Sequence, residues 1–352
     1  MNKVRNSNIE LMRILAILLV ISHHMVVNTP LEGLFDINYH KDNFIYLKIF
    51  SLWGKTAINA FIFITGYFMC TAKVTWKKVL KLWMEVKFYI IGFYILFCII
   101  GYIDFSLSEL FKTVFNVIYY FNNGFTPSFI VLYLFIPFLN MFLKSLKKEH
   151  HLKLIICLLL VFTISVSVFH NRTAFDYIGW YMTVYIVAAY IRLYDMKWTS
   201  NNLLCGPILL LLIVGICVFT MICINTGHDF YYYFICESNT ICSFLIGMFL
   251  FLFFKNLKIK NSRIINFVAS TTFGVLLIHT AGDAMRQFIW LDVFNVTALY
   301  DYGIGKTIGY SILYSIIVFV VCSLIDAIRI LIIEKPVMKL LSKMEWINKE
   351  II

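Results

Sequence analysis

Apolar segments of membrane-spanning length recur from one end of this chain to the other, and they constrain its fold more than any other feature. A helix needs about 20 residues to cross a hydrocarbon core about 30 Å thick. No polar stretch between the segments is long enough to fold by itself, so residues 1–352 are predicted to form one all-α integral membrane domain with no fused extracytoplasmic domain. The ten predicted spans are 9–28, 54–72, 79–101, 127–144, 151–169, 177–194, 203–224, 238–255, 264–282 and 306–333.

The charge distribution agrees with a membrane protein and predicts its orientation. Charged residues make up 14% of the chain, against roughly 25% in soluble domains, which excludes an ordinary soluble globule. The net charge of +11 comes mostly from Lys and Arg in alternate loops and near the two ends. The positive-inside rule therefore predicts that both termini are cytoplasmic. Because this rule accounts for the basicity, no nucleic-acid partner is expected.

The first span, "IELMRILAILLVISHHMVVN" (9–28), contains ionisable side chains that lipid cannot satisfy. At 100° per residue, Glu10, Arg13 and His24 share a sector about 60° wide, whereas His23 lies about 100° from His24. Intramembrane ionisable residues are usually functional. The stripe is therefore predicted to face protein or a water-filled path, with His24 the better functional candidate and His23 the more structural one.

Two roles are open for each end of this stripe. Arg13 and His24 are about 16 Å apart along the helix axis. Arg13 near the cytoplasmic face is suited to an anionic ligand, and His24 in the outer half is suited to exchanging a proton. Alternatively, Arg13 snorkels to the headgroups and His24 hydrogen-bonds a neighbouring helix.

Two further segments complete a recognisable pattern. "NAFIFITGYFM" (59–69) carries Thr65-Gly66-Tyr67 at the inner end of the second span, and "TTFGVLLIHT" (271–280) carries His279 in the outer half of the ninth. Together with Arg13-x10-His24, they resemble the membrane-bound acyltransferase-3 family, bacterial proteins that acylate sugars and other cell-envelope acceptors.

The pattern departs from that family in three places. Thr65 stands for a serine, Val275-Leu276 for a segment with an aromatic residue, and Lys78-x-x-Lys81 for a pair of arginines. Lysine keeps the positive charge but loses the bidentate geometry of arginine. Ordinary positive-inside charge is therefore an alternative explanation of Lys78 and Lys81.

The resemblance implies a multi-pass enzyme of the bacterial cytoplasmic membrane. It implies that an acetyl or other short acyl group moves from cytoplasmic acyl-CoA, as a donor co-substrate, to a hydroxyl of a surface polysaccharide or its lipid-linked precursor. His24 is then the catalytic base and His279 its catalytic companion, while Arg13, Lys78 and Lys81 bind the CoA moiety. No permanently bound cofactor and no metal are expected, and the other partners are the glycan acceptor and membrane lipid.

The ninth span supplies further candidates. If it is one continuous helix, Thr272, His279, Asp283 and Arg286 share a sector about 60° wide. Asp283, at i+4, is then placed to set the tautomer of His279, which would either orient the acceptor or stabilise the oxyanion. The alternative is that Asp283 and Arg286 form a solvated pair in the outer loop.

Acceptor-binding candidates lie near the outer ends of the helices. Trp180, Tyr181 and Trp290 match an interfacial aromatic belt, and sugars also stack on such rings. Glu237, at the outer mouth of the eighth span, is placed to assist an acceptor hydroxyl, although an acid at a helix N-terminus is also favoured electrostatically.

A different class of function uses the same residues. A proton-coupled transporter or exporter of an envelope precursor would employ the intramembrane histidines as a relay. Transporters often show inverted repeats and paired broken helices, and the sequence shows neither. A passive assembly or receptor protein leaves the stripe from Arg13 to His24 unexplained.

Overall fold

The computed structural model describes residues 5–29, 31, 40–119, 124–171 and 177–352, and over these ranges the chain is helical without a β-strand. Three π-helical stretches, at Leu160–Ile164, Phe288–Val293 and Ile330–Glu334, continue α-helices without a break. The α-helices of the described ranges are α1 (Ser7–Val27), α2 (Lys41–Ser51), α3 (Trp53–Met69), α4 (Trp76–Ile99), α5 (Leu107–Val114), α6 (Asn116–Tyr119), α7 (Phe125–Ser145), α8 (Lys148–Leu159), α9 (Ser165–Ser167), α10 (Tyr177–Leu193), α11 (Asn202–Thr226), α12 (Tyr232–Ile235), α13 (Ile241–Asn256), α14 (Arg263–Ser270), α15 (Thr272–His279), α16 (Asp283–Gln287), α17 (Ile304–Arg329) and α18 (Lys335–Leu341).

The all-α membrane architecture is confirmed, whereas the number of spans stays a prediction. Within the described ranges, seven helices are long and apolar enough to cross a membrane, or eight if one bent pair is a single span. Each of the ten predicted segments contains a helix, but α10 and α13 have only 17 and 16 residues. At 1.5 Å per residue both are about 25 Å long, shorter than a typical hydrocarbon core.

α1 lies at the centre of the bundle. It packs against α2, α3, α13, α14, α15 and α17. Its interior is free of Gly and Pro, so nothing interrupts the helix between its charged beginning and its histidines. Met12, Ala16, Ile17, Ile21 and Met25 are fully buried. Because neighbouring helices surround α1, its polar stripe faces protein rather than lipid.

The two ends of the chain lie on the same side of the bundle. Near the start of α1, Arg5 donates to the carbonyl of Asn266 at 2.8 Å. Near the start of α4, the Ile351 N–H donates to the carbonyl of Val74 at 3.1 Å. α4 packs against α15, which follows Asn266 in the chain, and both helices reach Asp326 of α17, through the Tyr89 hydroxyl and through the close approach at Gly274. We call this side the terminal end; its cytoplasmic location stays a prediction.

The ninth predicted span is sharply bent. α15 ends at His279, and the chain resumes as α16 after Gly282, whose φ of 135° lies in a region that favours glycine. The two arms, Arg263–His279 and Asp283–Val293, meet at 101°. The expectation that Asp283 and Arg286 continue the helical face of His279 is therefore wrong, since the helix on which that calculation depends ends before them.

Candidate active site

Two histidines from different helices meet at the end of α1 opposite the terminal end. His24 Nδ1 lies 2.9 Å from His279 Nε2, and the ring centroids are 5.2 Å apart. His24 is 17 residues from the start of α1, about 25 Å along its axis. The sequence analysis places both histidines in the outer halves of their spans, and the structure brings them into direct contact.

A chain of hydrogen bonds sets the tautomers of this pair. His279 Nδ1 lies 2.6 Å from the carbonyl of Val275, and a carbonyl oxygen only accepts, so Nδ1 carries the proton. In the neutral ring, His279 Nε2 is then an acceptor, and His24 Nδ1–H donates to it. His24 Nε2 keeps its lone pair. The orienting group of His279 is thus the Val275 carbonyl and not Asp283.

His24 lines a cavity of about 1600 Å³. His23 of α1 and the C-cap residue Asn28 also line it, together with residues from α2 to α5, the turn around Glu237 and the bend after His279. His279 is fully buried behind His24. Since His24 Nδ1 is engaged by His279, Nε2 is the ring nitrogen left for a molecule in this cavity, which we call the histidine cavity.

His23 has a structural contact that His24 lacks. Its Nδ1–H donates to the carbonyl of Ser51 at 2.6 Å. A Cβ added at Gly54 would lie 2.4 Å from the Cβ of His23. His23 therefore holds α1 against the junction of α2 and α3, as the helical-sector argument predicts.

The structure places Glu237 on the wall of the histidine cavity. Its Oε2 pairs with Lys55 Nζ at 3.1 Å, and the same ammonium group donates to the Tyr177 hydroxyl at 3.1 Å. Lys55 and Tyr177 also line the cavity. The sequence analysis did not single out Lys55, although a lysine inside the apolar segment 54–72 is the kind of signal that marks functional positions.

The three aromatic candidates lie in the protein interior. Trp180, Tyr181 and Trp290 are fully buried, and none of them lines the histidine cavity. Stacking of a sugar on these rings is therefore not supported by the packing. Trp180 instead donates to Asn59 Oδ1 at 2.9 Å, and Asn59 Nδ2 donates to the Ser238 carbonyl at 2.7 Å, which supports the turn that carries Glu237.

Asp283 and Arg286 form the solvated pair that was the alternative expectation. Arg286 Nη1 lies 2.9 Å from Asp283 Oδ1, and the Asp283 side chain is 96% exposed. Both residues line the rim of the histidine cavity. Contact with an acceptor therefore remains a prediction for them, but through the rim and not through His279.

At the other end of α1, the Arg13 guanidinium is held by an acid on its own helix. Arg13 Nε lies 3.8 Å from Glu10 Oε2, and its side chain is 36% exposed. Arg5 approaches the other oxygen of Glu10 at 3.7 Å. Glu10 thus balances Arg13 within α1, and a role for Arg13 in binding CoA stays a prediction.

Lys78 and Lys81 line a second, smaller cavity of about 390 Å³ at the terminal end. Lys81 pairs with Glu334 at 2.6 Å, and Lys78 Nζ donates to the Lys73 carbonyl at 2.6 Å. We call this the lysine cavity, because its lining also includes Lys77, Lys335 and Lys339. Five positive side chains around one carboxylate give this cavity a net positive charge, and a role for Lys78 and Lys81 in binding CoA stays a prediction.

Residues 6–327 match the family model described as an acyltransferase domain, of the acyltransferase 3 family. The chain belongs to the acyltransferase 3 family. Because the match covers nearly the whole chain, the acyltransferase assignment applies to the membrane domain itself. Neither a curated protein nor a solved structure gives a significant match.

The acyltransferase also contains a buried ionic cluster that the sequence analysis missed. Arg329 Nη2 lies 2.9 Å from Glu85, Nε lies 2.7 Å from Asp326, and Nη1 lies 2.9 Å from Glu334. Asp326 also accepts from the Tyr89 hydroxyl at 2.6 Å. The signal in the sequence was an acid and an arginine three residues apart within the apolar segment 306–333.

This cluster begins at the lysine cavity, because Lys81 and Glu334 belong to both. It reaches α15 at its other side, since a Cβ at Gly274 would lie 2.1 Å from Asp326 Cγ. α15 is the helix that carries His279. In the described part of the acyltransferase, no group of three or more His, Cys, Asp or Glu side chains is arranged to hold a metal ion.

Proposed function

We propose that this acyltransferase transfers an acetyl or other short acyl group from cytoplasmic acyl-CoA to a hydroxyl of a cell-surface polysaccharide or its lipid-linked precursor, in the bacterial cytoplasmic membrane. The observation that carries the proposal is the hydrogen-bond chain from Val275 through His279 to His24. It leaves a basic nitrogen on the wall of a cavity large enough for a sugar.

The proposed reaction uses this nitrogen as a general base. His24 Nε2 takes the proton of the acceptor hydroxyl while its oxygen attacks the thioester carbonyl carbon. The tetrahedral intermediate then collapses, the carbon–sulfur bond breaks, and the proton passes from His24 to the leaving thiolate. The products are an ester and free CoA, and no proton is gained or lost overall.

His279 acts on this step through His24. By accepting from Nδ1–H, it keeps the His24 ring oriented and its Nε2 unprotonated before the reaction. When His24 becomes an imidazolium ion, the same hydrogen bond becomes charge-assisted and is strengthened. His279 is therefore a positioning residue in this proposal, and His24 is the residue that touches the reacting atoms.

The two cavities suit a donor and an acceptor that approach from opposite sides. The lysine cavity at the terminal end offers Lys78 and Lys81, with Lys77, Lys335 and Lys339 beside them, to the phosphates of CoA. The histidine cavity offers Glu237, Lys55 and Tyr177 to the polar groups of the acceptor. The predicted cytoplasmic location of the termini would place the donor inside and the acceptor outside.

The test removes the base and keeps its structural hydrogen bond. In His24→Asn the amide nitrogen can still donate to His279 Nε2, but no group replaces Nε2. We expect ester-linked acetyl on the envelope glycan of the producing host, measured as alkali-released acetate at matched membrane levels of protein, to fall by about 100-fold or more.

His23→Asn is the matched control. Its amide nitrogen can replace Nδ1 as the donor to Ser51, so this neighbouring residue on the same cavity wall should retain most of the activity. Unchanged acetylation in His24→Asn would remove His24 as the base. If the wild-type protein acylates no glycan but vesicles that contain it accumulate a solute, the transporter hypothesis replaces the enzyme.

A further inference from the structure

The segment between α4 and α7 has an unusual distribution of side chains. Within α5 the apolar residues Leu107, Phe111 and Val114 share a sector about 60° wide, and Ile118 follows in α6 after the turn at Phe115. They are exposed, with relative accessibilities of 73%, 53%, 37% and 74%. We call α5 and α6 together the arm, and these four residues its apolar stripe.

The opposite side of the arm is polar and faces the protein. Glu109 and Thr113 lie on that side of α5, and both line the histidine cavity together with Asn116 of α6. A helix on the surface of a soluble protein turns its apolar face inward and its polar face to water. The arm does the reverse, so its outward face requires apolar surroundings.

The arm folds back along α4 towards the middle of that helix. At its base, the Tyr94 hydroxyl donates to the Ser106 carbonyl at 2.8 Å and accepts from the Ser106 N–H at 2.9 Å. Further along, Lys87 Nζ donates to the Thr113 carbonyl at 3.3 Å and to the Asn116 side chain. The contacts thus move down α4 as the arm proceeds, which makes the two elements antiparallel.

Lys87 shows how deep the arm reaches. It lies eleven residues from the start of α4 at Trp76, about 17 Å along a helix that would cross a core about 30 Å thick. A lysine at such a depth needs partners inside the protein, and the arm supplies both of them. The partners would be out of reach if the arm lay only on the membrane surface.

We propose that the arm is a re-entrant element embedded in the half of the bilayer on the side of the histidine cavity. Its apolar stripe contacts lipid and its polar side lines the cavity. Lys87 fixes the arm to α4 by hydrogen bonds to Thr113 and Asn116. The depth of Lys87 and the reversed polarity of the arm carry this inference independently of the enzymatic reaction.

Lipid is the occupant that fits the apolar stripe. α4, the spanning helix against which the arm packs, exposes apolar side chains as well, since Ile95, Leu96, Ile99 and the C-cap residue Ile100 are 46%, 46%, 76% and 59% exposed. The arm therefore separates lipid from the cavity by the thickness of one helix.

The test measures the surroundings of both sides of the arm. A fluorescent amino acid is introduced in place of Phe111 or Ile118 on the stripe, or of Thr113 on the cavity side, and the full chain is placed in phosphatidylethanolamine–phosphatidylglycerol nanodiscs. Nitroxide groups on the lipid acyl chains should quench the labels at 111 and 118 severalfold more strongly than the label at 113. Aqueous iodide should quench the stripe labels least.

Quenching of the stripe labels by iodide and not by lipid would overturn the proposal by placing the arm in water. Protection from both quenchers would overturn it in favour of a second protein or a second copy covering the stripe. If a labelled variant fails to fold, the unmodified protein is photolabelled with a lipid carrying a diazirine in its acyl chain. Adducts on residues 105–119 should then match those on residues 95–100 of α4, and their absence from the arm would refute its embedding.

Discussion

At the scale of single residues, the neighbours His23 and His24 differ because their partners differ. Nδ1 of His23 donates to a main-chain carbonyl, whereas Nδ1 of His24 donates to a second imidazole. An imidazole acceptor can also share the charge that His24 gains during a proton transfer, and the hydrogen bond then becomes charge-assisted. This difference is the basis on which we propose a structural role for His23 and a chemical one for His24.

The prediction at the scale of single residues concerns His279. Replacing it with leucine removes the acceptor for His24 Nδ1–H, so we expect glycan acetylation to fall by about 10- to 100-fold, the loss seen when the partner that orients a metal-bound histidine is removed. His279→Gln offers a carbonyl oxygen in the same region and should recover a substantial part of the loss. Equal activities of the glutamine and leucine variants, at equal thermal stability, would rule out a positioning role.

Sequence reasoning placed His24 and His279 in the outer halves of their spans, but it did not identify the group that orients His279. The calculation that places Arg13 and His24 on one face of a helix applies, because α1 is continuous from Ser7 to Val27. The same calculation failed for Asp283, because the helix ends at His279 and the chain turns at Gly282. The Val275 carbonyl could not be selected in advance, because every residue has a carbonyl and only tertiary packing decides which one a side chain meets.

At the scale of elements, small residues allow close crossings between the helices of the bundle. At the crossing of α3 and α10, a Cβ on Gly66 would lie 2.7 Å from Ala188 Cβ and 2.9 Å from the Tyr185 carbonyl. Small residues at helix crossings let backbones approach closely inside membranes. The Thr65-Gly66-Tyr67 segment that resembles the family pattern therefore has a packing role, whatever else it does.

The element-scale prediction compares two glycines in spanning helices. Gly66→Ala forces a methyl group against the backbone of α10 and should destabilise the fold by about 1–3 kcal/mol. Gly92→Ala in α4 meets no atom within 4 Å, so it should be neutral or stabilise by up to about 1 kcal/mol through helix propensity. Thermal unfolding of both variants in one detergent measures the difference, and equal midpoints would contradict the proposed crossing constraint.

At the scale of the whole molecule, two cavities lie at opposite ends of the bundle. The lysine cavity is formed by the start of α4 and by α18, and the histidine cavity by the far ends of α1 and α15. The ionic cluster around Arg329 lies between α4 and α17 and contacts α15 at Gly274. Removing one partner of a buried ion pair costs about 3–5 kcal/mol, so loss of Glu85 or Asp326 should destabilise the packing of α4 against α17.

The sequence predicted the separation of a lysine-rich end from a histidine-containing end better than it predicted the residues that line each cavity. Basic loops indicated one end, and the depth of His24 and His279 indicated the other. The aromatic candidates Trp180 and Trp290 were chosen by residue type and by position near the outer helix ends, and packing buries them instead. Lys335 and Lys339 were unassigned, because their closeness to Lys78 depends on how the last helix returns to α4.

The prediction at this scale is that the lysine cavity binds CoA independently of the histidine cavity. Each exposed lysine–phosphate pair contributes up to about 1 kcal/mol, so Lys78→Gln and Lys339→Gln should each raise the Kd of purified protein for CoA by up to about fivefold. Calorimetric titration measures these changes, and salt should diminish them by screening.

Lys73→Gln is the matched control, because Lys73 lies at the same end, pairs with Glu350 and does not line the cavity. His24→Asn should bind CoA as the wild type does, since its ring lies on the other cavity. If both lysine variants bind CoA unchanged, the phosphates must bind elsewhere, and Arg13 becomes the group to test.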